Sequence, residues 1–320
     1  MSTTKTTFFR FIFYSFITAL IIYVGAKSQP DEARLFLESW NLWREPLLAG
    51  MLCGLLAALL GVYILLNRIV FISLAISQGA GFGIFLSFFI AGLFGITLGE
   101  SPLSLAAGLL MAWAAALSFA WLKKSPRISS ESLIGLIYIA ASGLTLLLGD
   151  RVAEGHHSID NLLFGNAVAV NSGEFKVLLA LTLPLLFIHF IFRREFIYVS
   201  ADPEFIRIKG LGSRFWTILL YFTLTLGITL NLKVLGSLPV FALMVIPPFI
   251  ALKRAGSMRE AFLISLLLGW LLPPLGYYFS FLYSFPTGAS LIGVGLIYLL
   301  ASWVESLLFR FAFKKIPRVA

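Results

Sequence analysis

Residues Leu47–Gly83 read LLAGMLCGLLAALLGVYILLNRIVFISLAISQGAGFG, two long apolar runs broken at Asn67 and Arg68. Neither run alternates apolar with polar residues as a barrel strand would. Each approaches the roughly 20 residues with which a helix crosses about 30 Å of hydrocarbon, where only helices and closed barrels satisfy the backbone. The two runs are therefore read as a pair of membrane-spanning helices.

The rest of the chain repeats this pattern. It has 320 residues, 59% of them hydrophobic and 12% charged, and a mean hydropathy of +0.96. These values exclude a soluble domain. The expected fold is all-α, a polytopic transmembrane helical bundle of about 8–10 spans forming one domain over residues 1–320. Ten apolar runs are placed at 7–25, 47–66, 69–95, 103–122, 132–149, 175–193, 213–231, 237–252, 260–282 and 287–309. The first lacks a small-residue cleavage site after its apolar core and is read as a retained extra span.

Lysine and arginine set the expected orientation, because positive loops stay on the cytoplasmic side. With the N-terminus inside, Lys27, Arg34, Arg44, Arg151, Lys176 and Lys233 fall outside and the other 18 of the 24 basic residues fall inside. Both termini are then cytoplasmic, in a cytoplasmic membrane. The net charge of +9 is accounted for by loops facing anionic lipid headgroups, and no nucleic-acid partner is needed.

Between the sixth and seventh runs lies a polar island, FIYVSADPEFIRIKGLGSRF, Phe196–Phe215. Asp202 can cap a helix, Pro203 suits its first position, and Glu204 complements its positive end. Gly210 and Gly212 offer a stop after about two turns. A short capped helix on a basic loop is read as a docking handle, residues 202–212, for a separate motor. The chain has no phosphate-cradling loop followed by Lys-Ser or Lys-Thr. No cofactor is expected in this chain, and any ATP is expected to be bound by a partner. No bond chemistry is expected of the chain, which is read as a non-enzyme.

Cys53 is alone and inside a span, a packing residue that allows no intrachain disulfide framework. Lys27–Pro46 mixes Phe36, Leu37, Trp40 and Trp43 with charges, and is read as an amphipathic helix along the outer interface with its aromatics at headgroup depth. The outer loop Asp150–Glu174 gathers His156, His157 and Asp160. Imidazoles beside carboxylates can hold zinc or manganese briefly; a plain solvated loop is the competing account.

Polar residues inside spans tend to face the bundle or a pathway. Gln78 and Ser77 lie deep in the third run, beside Gly79 and Gly83, whose spacing lets helices approach closely. Gln78 reads either as a hydrogen-bonded packing residue or as lining for a translocation path. His189 and Glu305, near span ends, read as interfacial or paired. Pro247–Pro248 and Pro273–Pro274 are expected to bend two spans.

Taken together, the Leu47–Gly83 block, ESLIGLIYIAASGLTLL, SIDNLLFGNAVAV, SADPEFIRIKGLGSRFWTILL, the block from Leu232 to Gly269 and FPTGASLIGVGLIYLLAS follow the order and spacing of one family. The chain resembles the membrane permease subunit of zinc, manganese or iron ABC importers, over residues 35–309. The resemblance implies a type II importer fold and a homodimer or heterodimer of permeases. It also implies ATPase subunits gripping Asp202, Pro203, Glu204, Gly210 and Gly212, and a periplasmic or lipoprotein metal-binding protein outside. One departure stands out. The family's aspartate and, four residues on, its histidine fall at Leu74 and Gln78. These positions share a helix face, yet leucine cannot ligate a cation and glutamine offers only a neutral carbonyl. Leu74, Ser77 and Gln78 therefore remain path candidates without a transferred metal site.

Two other functions remain open. A permease for a metal chelate or cobalamin would suit an apolar path at Leu74. A secondary transporter driven by an ion gradient would keep mid-depth acids or bases for coupling, and none of the acids is placed there.

Overall fold

The structure is a computed structural model that describes residues 3–96, 102–122, 129–150, 165, 170–208 and 212–312. The described residues form helices and short connections. In chain order these helices are α1 (Thr3–Ser28), α2 (Pro30–Glu38), α3 (Trp40–Leu66), α4 (Ile72–Leu93), α5 (Pro102–Leu122), α6 (Ser130–Gly149) and α7 (Ser172–Ile191). They continue with α8 (Arg193–Ala201), α9 (Pro203–Ile208), α10 (Ser213–Leu235), α11 (Ser237–Arg254), α12 (Met258–Tyr283) and α13 (Thr287–Ala312). Nine of the described helices are long and apolar enough to cross a membrane, and α5 adds a shorter apolar stretch, Leu103–Phe119. The protein is a multi-pass membrane protein, and the ten long helices among the described residues overlap the ten apolar runs.

The bundle is built around α3. It packs on α7, α8, α10, α11 and α12, and Leu56, Leu60, Tyr63 and Ile64 are wholly buried in it. Contact at this closeness needs small residues, because lipid supplies no hydrophobic force between helices and packing must do the work. At the crossing of α3 and α12, a Cβ on Gly54 would lie 2.1 Å from the Gly269 carbonyl oxygen, and one on Gly269 would lie 2.4 Å from the Gly54 carbonyl oxygen. Pro273 fills the groove beside Gly54, and Pro248 of α11 does the same beside Gly61. Helices α11 and α12 run unbroken through Pro247–Pro248 and Pro273–Pro274. Cys53 is fully buried and free, the packing role expected. Asn231 of α10 donates to its carbonyl oxygen at 3.2 Å, fastening α10 to the middle of α3.

Capping fixes several helix starts. Asn171 and Glu174 form a reciprocal capping box at α7, and the Ser129 and Ser257 hydroxyls accept from Ser132 N and Glu260 N at α6 and α12. Each satisfies a donor that would otherwise be orphaned.

The segment Lys27–Pro46 departs from its expected course. It forms α2 and the first turns of α3, and Phe36 turns inward, 7% exposed. There it meets Trp43, Tyr278 and Phe281 at ring distances of 6.0, 5.5 and 5.3 Å. Aromatic area gains more from this edge-to-face cluster with α12 than from a headgroup layer. Leu37 and Trp40 do stay exposed.

Helix α1 packs on α2, α12 and α13. At one end of the bundle, Arg10 pairs with Glu305 at 3.2 Å and also with Glu260, while the Tyr14 hydroxyl donates to Glu305 at 3.0 Å. Arg254 reaches the same glutamate at 4.0 Å. Both carboxylates are almost wholly buried. Glu305 is thus paired, as expected; Glu260 and Arg10 complete a cluster that joins α1, α11, α12 and α13. At the other end Lys233 pairs with Glu174 at 2.9 Å, and Ser172 donates to Glu45.

Candidate functional site

The segment read from the sequence as a docking handle lies where α8 gives way to α9. Helix α8 ends at Asp202, whose N–H donates to the Tyr198 carbonyl at 2.9 Å. The Asp202 carboxylate then accepts the Phe205 N–H at 3.1 Å. That is an N-cap on the third helical residue, and Pro203 needs no donor at the first. Six residues, Pro203–Ile208, form α9. Glu204 is in its first turn, where a carboxylate favours the positive helix end.

Helix α9 is short and is held at its N-terminal end. The Phe205 ring packs at 5.0 Å from Tyr198 of α8. Phe196 of α8 is buried against Tyr63 of α3 and Trp216 of α10, at 5.9 and 6.2 Å. The handle is thereby tied through α8 to the central helix. Its outer side carries Glu204, which is exposed, and Ile208, which is 85% exposed. Gly212 precedes α10 as its N-terminal flank and is exposed. Gly210 lies outside the described residues.

On α4, Ser77 and Gln78 are buried and Leu74 half-buried. The Ser77 hydroxyl has no hydrogen-bond partner. Gly79 and Gly83 do admit a close neighbour: a Cβ on Gly83 would lie 2.3 Å from the Ala107 carbonyl of α5. His156, His157 and Asp160 lie outside the described residues. Among the described residues, no group of three or more His, Cys, Asp or Glu side chains comes together as a metal site.

Of the LLFGN motif, Gly165 is described. Its φ is +76°, and a Cβ would lie 2.2 Å from the Leu235 carbonyl carbon. Only glycine fits a left-handed backbone pressed onto the α10–α11 junction at this position.

Sequence reasoning missed three features. Arg10 counts only among the inner basic residues and Glu260 draws no reading, because the partners of Arg10 are 295 and 250 residues away on other helices. Asn231 gave no pattern, although a lone amide in an apolar run is the kind of residue that must find a partner. His189 is more enclosed than an interfacial residue, 1% exposed, and neither ring nitrogen has a partner.

Among the described residues, long apolar helices and one short capped helix make the architecture of a polytopic membrane protein. Residues 39–305 match the model of the ABC 3 transport family, and the chain belongs to that family. It is 25% identical over 266 residues to the manganese transport system membrane protein MntC of Listeria innocua, covering 82% of this chain and 91% of that one. It is 24% identical over 254 residues to the chelated iron transport system membrane protein YfeD of Yersinia pestis, covering 79% and 82%. The fold is also that of PsaBC from Streptococcus pneumoniae in complex with Fab, with a TM-score of 0.72 at 20% identity over 84% of this chain and 93% of that chain. Helices α1 and α2 precede the matched residues.

Proposed function

We propose that this chain is the permease subunit of an ATP-driven importer of a divalent metal ion in a bacterial cytoplasmic membrane. The observation that carries the coupling is the capped, outward-held α9 with its exposed Ile208 and Glu204. Separate ATPase subunits bind the nucleotide and grip residues 202–212, and the chain itself performs no bond chemistry. Manganese and iron are the favoured cargoes, given the names of the relatives, ahead of zinc.

The bundle works as one of two permeases, in a homodimer or a heterodimer. ATP-driven closure of the motor draws the paired α9 helices together and opens the bundle toward a metal-binding protein docked on the opposite face; hydrolysis reverses it. Both termini lie with α9 on the cytoplasmic side, supported by the distribution of basic residues. On the delivery side, His156, His157 and Asp160 are proposed as transient ligands on sequence grounds.

Leu74 bears on both the partner and the cargo. With leucine and a neutral amide where the family has an aspartate and a histidine, the path wall offers little to a bare cation. A partner permease bearing the intact pair would supply the ligands in a heterodimer; a chelated metal would not need them. Reconstitution with a cognate ATPase and a metal-binding protein tests the reading. Uptake of radiolabelled manganese or iron that needs ATP supports it, and uptake driven by an ion gradient without ATP refutes it.

A further inference from the structure

At the end of the bundle where α3, α7 and α12 meet α8 lies a cavity of about 750 Å³ with mostly apolar walls, a size typical of ligand sites, which run to about 300–1,000 Å³. Tyr63 and His189 are among its lining residues. They are 0% and 1% exposed, and the Tyr63 hydroxyl and both His189 ring nitrogens have no hydrogen-bond partner. Buried polar atoms left unpaired cost about 1–3 kcal/mol each, so a ligand able to satisfy them has a free-energy advantage there. Arg193, Arg194 and Arg259 also line the cavity and are exposed. None of the three pairs with a carboxylate among the described residues.

The three guanidinium groups, none paired with a carboxylate among the described residues and Arg193 stacked 5.6 Å over the Phe190 ring, suit a phosphate, whose oxygens they bind bidentately, and the apolar walls suit a hydrocarbon chain. Basic pockets between spanning helices on the positive side of the membrane hold anionic headgroups. A free phosphate would leave the apolar volume unfilled, and a neutral lipid would leave the arginines uncompensated.

We infer that this cavity is a binding site for one anionic phospholipid, its phosphate on Arg193, Arg194 and Arg259, its glycerol ester oxygens toward Tyr63 and His189, and an acyl chain along the apolar walls. Because α8 supplies two of the arginines and continues into Asp202, the lipid braces the base of α9. The inference stands on the cavity and does not depend on the cargo or on the motor.

Native mass spectrometry of the detergent-purified chain tests it, with phosphatidylglycerol, phosphatidylcholine of the same acyl chains and inorganic phosphate as separate additions. The expected result is one phosphatidylglycerol retained at least tenfold over phosphatidylcholine, with no adduct from phosphate. Replacing the three arginines together with alanine abolishes the preference while the lipid-free melting temperature holds. Leu183→Trp, which narrows the cavity, lowers retention with the arginines intact. Equal retention of the two lipids, a preference that survives the arginine variant, binding of phosphate alone, or an arginine-dependent dimer in place of a lipid adduct would each overturn the inference.

Discussion

The Asp202 carboxylate caps α9 by accepting the Phe205 N–H at 3.1 Å, and this one bond defines the start of the only short helix here that is proposed to meet a motor. Losing an aspartate cap costs about 1 kcal/mol of helix stability, a large share for a helix of six residues. Asp202→Ala is expected to leave the protein inserted and folded while ATPase activity becomes less dependent on substrate. The ratio of ATP hydrolysed to ion taken up, in reconstituted vesicles, checks this. Asp202→Asn, which can still accept the N–H, should restore the ratio.

Ile208 is 85% exposed beside Glu204. Ile208→Glu is expected to weaken co-purification of the ATPase subunit by tenfold or more, without changing the melting temperature of the isolated chain. An unchanged pull-down would remove Ile208 from the contact.

The buried cluster at Arg10 makes a prediction about stability. Removing one partner of a buried ion pair strands the other and costs about 3–5 kcal/mol. Arg10→Ala, which leaves Glu260 without a cationic partner and Glu305 with only Arg254 at 4.0 Å, should lower the melting temperature in detergent sharply. Arg34→Ala breaks an exposed pair with Glu38 and should change it little, since such i,i+4 pairs are worth about 0.3–0.5 kcal/mol. Thermal unfolding of the two variants side by side separates the cases.

At the α3–α12 crossing, Gly54→Leu has no space to enter, because backbone and not a flexible side chain faces it at 2.1 Å. Overpacking of a tight core costs about 1–3 kcal/mol or more. Loss of the monodisperse size-exclusion peak is expected. Gly92→Ala, with nothing within 4 Å of its Cβ position, should behave as the unaltered chain.

What was legible in the sequence was what local chemistry decides. Apolar run length placed the spans, and the Asp202-Pro203-Glu204 order located α9, because capping acts within one turn. Gly79 and Gly83 announced a close neighbour, and α5 is there. Phe36 and Trp43 were misplaced for the opposite reason. A mixed aromatic and charged segment looks the same whether its rings meet headgroups or the side of another helix, and Tyr278 and Phe281 lie more than 230 residues further along the chain. The Arg10 cluster and the Asn231 bond to Cys53 are likewise products of which helices become neighbours, which no local pattern encodes.

The most direct test of the central claim is photo-crosslinking from position 208 in whole cells, with a photoreactive residue in place of Ile208 and the adducts read by mass spectrometry. The account predicts adducts to the cytoplasmic ATPase subunit. Adducts to a protein on the outer face of the membrane, or labelling of that position by a membrane-impermeant reagent in intact cells, would contradict it.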